Sequence, residues 1–300
     1  MAWPDDLSRR LLVLEREPLG PRTTLGVGGP ARRVVEPRSR EELILAARRL
    51  RETGTPFCVL GGGSNLLVAD EGVDETVVHT RQVSGIWHDG ERPHALRVAA
   101  GTSLPRLISV AQRQGLSGLE PLMGIPGTVG GAVAGNSGGR HGWTGDRLVA
   151  VTVLDEDGGP REVPCAPDDF GYRVSPFAAR LVVDAVFALE PAPPAVVLAR
   201  MQEVLDAKRA SQPLAARSAG CFFLNRGRQP VARLIDEAGC KGLREGAARV
   251  SERHANFLLN AGGARAADFG RLVAEVRARV AARGGPWLEL EIECWGGVDG

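Results

Sequence analysis

The hydrophobic rhythm of the chain changes several times, and each change predicts an element. Residues 31–35 (ARRVV) read as a strand. Ser39 then stands three residues before Glu42, the spacing of a capping box, and Leu43, Ala46, Ala47 and Leu50 repeat at helical intervals behind it. Residues 57–60 (FCVL) predict a short buried strand and 74–79 another. A further strand at 95–99 leads through Gly101 into a helix with Leu104, Leu107, Ile108 and Ala111 on its apolar face, which Gly115 ends. Between 118 and 139 the rhythm disappears: GLEPLMGIPGTVGGAVAGNSGG has neither a helical nor a strand period.

Apolar strands return at 148–154 and 181–188, separated by a polar turn at 155–159. Pro191, Pro193 and Pro194 punctuate the chain before a helix with Val197, Met201, Val204 and Leu205, which runs out near Gln212-Pro213; a domain boundary is expected here. The last third reads as α+β, with a helix at 231–238, a strand at 255–259, a long helix carrying Phe269, Leu272, Val273, Val276 and Val280, and a closing strand at 287–295. In that closing strand Leu288, Leu290 and Ile292 alternate with Glu289, Glu291 and Glu293, so all three acids share one face. No internal repeat is visible.

Glycine-rich backbone without a packing period points to a ligand that approaches the main chain. Glycine lacks a Cβ, so consecutive N–H groups can turn to one side and form a concave nest for an anion. A second run, GGGSN at 61–65, follows the strand at 57–60, and two nests suggest a ligand with at least two phosphates. Neither run ends in the Gly-Lys-Ser/Thr of a P-loop. The G-x-G-x-x-A match from Gly26 to Ala31 has no strand before it and reads as a turn.

The 300 residues, 43% hydrophobic and 24% charged, suffice for two or three cores. Lys and Arg total 37 against 36 Asp and Glu, a balance that gives no bulk-charge argument for nucleic-acid or membrane binding. No signal-type or membrane-length apolar run occurs, so the protein is expected in the cytoplasm. Five dispersed cysteines predict reduced thiols, and neither they nor the five scattered histidines suggest a metal site.

Seven segments in order, TTLGVGGPA from Thr23, VLGGGSNLL from Val59, MGIPGTVGGAVAGNSG from Met123, FGYRVSPF from Phe170, SAGCFFLN from Ser218, VSERHANFLLN from Val250 and LELEIECWG from Leu288, resemble the UDP-N-acetylenolpyruvoylglucosamine reductases of bacterial cell-wall synthesis. The resemblance implies an α+β fold in which a two-part FAD-binding module of the vanillyl-alcohol-oxidase type precedes an α+β substrate-binding domain. The expected boundaries are 1–80, 81–205 and 206–292, with 293–300 returning to the first part. It implies FAD as cofactor, NADPH as hydride source, an enolpyruvyl UDP-sugar as substrate, and a monomer that needs no metal, nucleic acid or membrane. The FAD would lie on Gly61, Gly62, Gly63, Ser64 and Asn65 and on Gly124, Ile125, Pro126, Gly127, Thr128, Gly130, Gly131, Ala132, Gly135 and Asn136.

Reducing an enol ether conjugated to a carboxylate calls for a cation at the carboxylate and an acid at the α-carbon. The resemblance assigns these roles to Arg173 and to Cys221, which stands where the family usually has serine. It assigns a catalytic glutamate to Glu291, with Glu289 and Glu293 as the alternative registers, and sugar-nucleotide contacts to Tyr172, Arg209, Asn225 and His254. Taken alone, Arg173 also reads as a solvated strand-end residue, Cys221 as a core cysteine beside Phe222 and Phe223, and the acidic face as a solvated one. Tyr172 is the single tyrosine, which implies the shorter-loop class without a lid tyrosine. Leu224 replaces a common lysine and Arg226 a proline, leaving Arg226 or Arg228 to supply the lost charge; residues 136–143 also depart from the usual Asn-Ala-Gly-Ala-Tyr-Gly. Two other readings stand beside this one: a flavin oxidase or dehydrogenase acting on another substrate, and a non-catalytic binder of flavin or nucleotide sugar.

Overall fold

A computed structural model of the chain describes residues 4–155, 158–227 and 229–297. In it the Ser39 hydroxyl accepts from the Glu42 N–H at 3.2 Å and opens the helix Arg40–Glu52, while Glu42 returns its bond to the Arg38 N–H at 2.7 Å. The predicted face of Leu43, Ala46, Ala47 and Leu50 is fully buried. The chain forms two units: Met1–Leu14, Arg33–Gly62 and Glu75–Ala207 make the first, and Glu15–Arg32, Gly63–Asp74 and Lys208–Gly300 the second.

One sheet has the strand order Leu12–Pro18, Pro30–Glu36, Val73–His79 and Phe57–Leu60, the last two parallel, with Leu60 opposite His79. The strand Phe57–Leu60 is therefore an edge. Its Val59 is 40% exposed, which corrects the expectation of a buried strand. In the first unit a second sheet runs antiparallel in the order Pro160–Pro164, Leu148–Leu154, Val182–Ala188, Ala95–Ala99 and Ile86–His88. Its core takes in Leu104, Leu107, Ile108 and Ala111 from the helix Leu104–Arg113. The glycine-rich stretch, expected to have no regular element, contains the short helix Val129–Ala134. Val129, Ala132 and Val133 are buried at helical spacing, while Gly130 lies so near Ala100 that a Cβ would come within 2.9 Å of that side chain.

The second sheet also holds a charged cluster. Asp184, 3% exposed, accepts from Arg97 at 2.9 Å, Arg40 at 3.1 Å and Thr152 at 2.7 Å. Arg97 and Arg92 also donate to Asp89 and Glu162. At Asp89 burial opposes ionisation, but the bonds from Arg92 and Arg97 outweigh it and hold the carboxyl below its ordinary value. A lowered native pKa stabilises the fold above the unfolded value of about 3.9, and the stabilisation is lost as pH falls through the native value. Asp89→Asn should therefore melt below the native protein at neutral pH, and calorimetry should show the gap closing under acid conditions.

In the second unit an antiparallel sheet has the order Arg217–Cys221, Phe257–Asn260, Ala248–Val250 and Arg244–Glu245. Phe269, Leu272, Val273, Val276 and Val280 of the helix Ala266–Ala282 join its core, and Phe269 stacks on Phe222 at 5.7 Å. Asp70 caps that helix, accepting from the N–H groups of Ala266 at 2.8 Å and Ala267 at 3.1 Å. The strand expected over 287–295 is regular only at Glu293–Trp295, which pairs in parallel with Leu66–Val68. The chain changes partners just before it: the Glu291 N–H donates to Phe222 O, whereas the Glu293 N–H donates to Asn65 O. Among the described residues no helix is long and apolar enough to cross a membrane.

Candidate active site

The first two glycines after Phe57–Leu60 pack directly on the second glycine run. A Cβ on Gly62 would lie 2.7 Å from Gly127 Cα, and one on Gly61 would lie 2.4 Å from Thr128 Oγ1. Gly61 and Gly62 thus meet Gly127 and Thr128, more than sixty positions further on, in one glycine-lined surface within the first unit. The second run is tied down beneath it: the Leu104 N–H donates to Gly127 O, the Val129 N–H to Thr102 O and the Gly130 N–H to Ala100 O. Thr128 is 3% exposed, yet its hydroxyl has no hydrogen-bond partner among the described residues. Gly63 lies in the second unit, where φ of +59° and the approach of Arg22 O, 2.3 Å from a built Cβ, both require glycine. Ser64 and Asn65 follow it, and the Asn65 Nδ2 donates to Glu291 O at 3.2 Å.

Tyr172 and Arg173 form a two-residue turn closed by mutual bonds between Gly171 and Val174, at 3.0 and 3.1 Å. Arg173 has φ of +55°, a conformation that glycine or asparagine ordinarily supplies. Placing an arginine there costs about 1–3 kcal/mol, a strain found preferentially at functional positions. The turn is braced by Asn136, which is buried: its Nδ2 donates to Gly171 O at 2.8 Å and its Oδ1 accepts from the Gly145 N–H at 2.9 Å. Trp143 meets Tyr172 edge to face at 5.6 Å.

Cys221 ends the strand Arg217–Cys221 in the second unit. Phe222 and Phe223 behind it are fully buried, so the two apolar rings belong to the core while the half-buried Cys221 stands at its margin. The Glu291 N–H donates to Phe222 O at 2.8 Å, and the Leu224 N–H to Glu289 O at 2.9 Å. Cys221 and Glu291 are therefore brought onto neighbouring segments. Of the three acids, Glu289 is half-exposed and paired with Arg226 at 2.8 Å, and exposed Glu293 accepts from Trp295 Nε1 at 2.9 Å. Glu291 is the least exposed of them.

The expected sugar-nucleotide residues are also in the second unit, except Tyr172. Asn225 is exposed, and its Oδ1 accepts from the Val231 N–H at 3.0 Å at the start of the helix Val231–Glu237. His254 lies edge to face with Phe257 at 4.9 Å. Arg209 is exposed, and its carbonyl accepts from Arg253 at 2.9 Å. Beside Arg209, Lys208 is mostly enclosed, and burial lowers its ammonium to about 8. Arg226, one of the two replacements for the missing lysine, is held on Glu289; Arg228 lies outside the described residues.

Comparison with known proteins is consistent along the chain. Residues 212–295 match the model for the C-terminal domain of UDP-N-acetylenolpyruvoylglucosamine reductase, and residues 31–163 match an FAD binding domain. The UDP-N-acetylenolpyruvoylglucosamine reductase of Moorella thermoacetica is 44% identical over 96% of this chain and 94% of its own length. The chain belongs to that family. The reductase of Carboxydothermus hydrogenoformans is 39% identical over 97% of both chains. The crystal structure of the Thermus caldophilus reductase superposes with a TM-score of 0.78 at 42% identity, covering 96% of this chain and 99% of that one.

Membership accounts for the order of the two regions: the α+β chain carries an FAD-binding domain first and the reductase C-terminal domain after it. Both glycine runs fall within the FAD-binding region, and Cys221, Asn225, His254 and Glu291 within the C-terminal one. The glycine surface fits FAD by its own geometry, because side chains are excluded from Gly61 and Gly62 where the two runs meet and the buried Thr128 hydroxyl lacks a partner among the described residues. Sequence reasoning missed the brace role of Asn136, which it assigned to cofactor contact, and missed Asn256 altogether. Asn256 is fully buried and bonded to Phe223. An asparagine inside an apolar run was the available signal.

Proposed function

We propose that this chain reduces the enolpyruvyl group of UDP-N-acetylglucosamine enolpyruvate to UDP-N-acetylmuramate in peptidoglycan precursor synthesis, with NADPH as reductant. What supports this reading is the presence of Cys221 and Glu291 on hydrogen-bonded neighbouring segments of a reductase C-terminal domain. When bound on the glycine surface, FAD supplies the chemistry of accepting hydride from NADPH and delivering it to the substrate. The β-carbon gains the hydride and the α-carbon gains a proton, so the carbon–carbon double bond becomes single and NADP⁺ is released.

Arg173 holds the substrate carboxylate, where charge grows as hydride arrives; guanidinium binds such a group through two parallel hydrogen bonds. Cys221 donates the proton to the α-carbon. A thiol with an ordinary pKa of about 8.5 is mostly protonated at neutral pH, yet is a far stronger acid than the serine it replaces. Glu291, on the adjoining segment, relays a proton taken up from solvent to the thiolate, so the proton given to the α-carbon is replaced from water. Tyr172, Arg209, Asn225 and His254 hold the sugar nucleotide. The same proposal divides the chain into parts at 1–80, 81–205 and 206–292, and places it in the cytoplasm as a monomer.

A flavin oxidase of another substrate has no use for this combination of arginine, thiol and glutamate, and a non-catalytic binder would leave NADPH unconsumed. The deciding assay gives the purified protein FAD and NADPH and follows NADPH absorbance as the enolpyruvyl UDP-sugar is added. Oxidation that depends on the sugar is expected; a rate indifferent to it would reject the proposal. Arg173→Gly is expected to change stability by no more than about 1 kcal/mol, because relief of the left-handed strain offsets the extra freedom of the unfolded chain. The same change should lower kcat by about 10²–10³-fold through loss of carboxylate stabilisation. Urea unfolding and steady-state rates on one preparation check both halves.

A further inference from the structure

The strand Arg217–Cys221 pairs with Phe257–Asn260 as far as Cys221 opposite Phe257, and the ladder then stops. Phe222 and Phe223 continue into the core with fully buried side chains, so their backbone groups need partners. One side is met by 289–291, through the Glu291 N–H to Phe222 O and the Leu224 N–H to Glu289 O. On the other side the chain has turned away, with the Phe257 N–H donating to His254 O at 2.9 Å, and the Phe222 N–H reaches Asn256 O at 2.8 Å. The N–H and C=O of Phe223 remain. The side chain of Asn256, itself 0% exposed, satisfies both: Oδ1 accepts from the Phe223 N–H at 2.9 Å, and Nδ2 donates to Phe223 O at 2.7 Å.

One amide thus stands in for a missing strand residue and fixes the backbone immediately after Cys221. We propose that Asn256 is a positioning residue for proton transfer, holding Cys221 and, through Phe222, the segment of Glu291 in a single geometry during turnover. The inference rests on Cys221 being the proton donor. A buried polar bracket satisfied at both ends specifies one arrangement, whereas an apolar side chain of equal size would fill the space without defining it. Asn256 makes no contribution to seating the flavin in this account, so its loss should separate the two half-reactions.

The test uses the flavin-loaded full chain carrying Asn256→Ala or Asn256→Leu. Reduction of the flavin by NADPH should keep its native rate, while reoxidation by the enolpyruvyl UDP-sugar slows on the order of 10²-fold, the cost of a small misplacement of a reacting group. In a Cys221→Ala background the same changes should add no further loss, since the two residues act as a unit. Native reoxidation in the single variants, or a full multiplied loss in the double variants, would overturn the proposal. If the variants do not fold, amide exchange in the native protein decides: the Phe223 N–H should exchange as slowly as that of Leu258, and rapid exchange refutes the bracket. Native protein that never consumes NADPH with the sugar would instead defeat the functional reading itself, a separate outcome.

Discussion

Cys221→Ala should lose about 10²–10⁴-fold in the rate at which the enolpyruvyl UDP-sugar reoxidises the flavin, the usual contribution of a positioned general acid. NADPH should still bleach that variant at the native rate, because no step of flavin reduction uses the thiol. The two half-reactions therefore distinguish loss of the acid from damage to the fold. Cys221→Ser should retain much of the activity, since a hydroxyl of similar size then occupies the end of the strand Arg217–Cys221. Stopped-flow traces of both half-reactions for the two variants are the check. Unchanged reoxidation in Cys221→Ala would remove Cys221 from the chemistry and return it to its other reading, a cysteine at the core margin beside Phe222 and Phe223.

Gly62→Ala should yield a protein that carries little flavin. Its new Cβ would fall 2.7 Å from Gly127 Cα and 3.2 Å from Gly127 C, both backbone atoms that cannot swing aside. Overpacking of that kind costs about 1–3 kcal/mol, equivalent to as much as ~10²-fold in FAD affinity if the surface separates to relieve it. Gly61→Ala should be milder, because the atom it meets is the Thr128 hydroxyl, which can rotate. Gly139→Ala is the control: it has open space around its Cβ position and should retain the flavin. The ratio of visible flavin absorbance to protein absorbance after desalting ranks the three. Equal flavin content in Gly62→Ala and Gly139→Ala would contradict the assignment of the glycine surface.

Long elements that bury one whole face are legible in the sequence, whereas short strands and most edge strands are not. The helices Arg40–Glu52 and Ala266–Ala282 bury one face each, so their apolar residues repeat at helical spacing and their positions could be read directly. The strands Leu12–Pro18, Pro160–Pro164 and Ile86–His88 were not anticipated, and each lies at the edge of its sheet. An edge strand has solvent along one side and needs no strict alternation, so LVLEREP and PREVP carry little pattern. Phe57–Leu60, also an edge strand, reads as a buried one because four apolar residues in a row resemble a core run.

The site was legible to a similar depth. Glycine chemistry indicated that both runs serve a phosphate-bearing ligand, but only the fold shows Gly62 against Gly127, a contact that depends on how distant segments pack. The alternation of acids singles out 289, 291 and 293 without choosing among them; the fold puts Glu291, the least exposed of the three, on the backbone bond to Phe222. An asparagine inside an apolar run draws attention to Asn256, but the backbone partners of Asn136 and Asn256 are set by the fold. Asn136 ties nearby Gly145 to Gly171, 35 residues away, and Asn256 holds both backbone groups of Phe223, 33 residues away, long-range partners that no local spacing encodes.

The central claim is that flavin reduced on this chain passes hydride to the enolpyruvyl sugar while the protein supplies the proton. Its most direct test is a single anaerobic turnover: the enzyme is reduced with one equivalent of NADPH and mixed with the sugar nucleotide, and visible absorbance and product mass are recorded. The account predicts full return of oxidised flavin in step with a product two hydrogen atoms heavier than the substrate. Flavin that stays reduced in the presence of the sugar, or whose colour returns with the sugar unchanged, would contradict it.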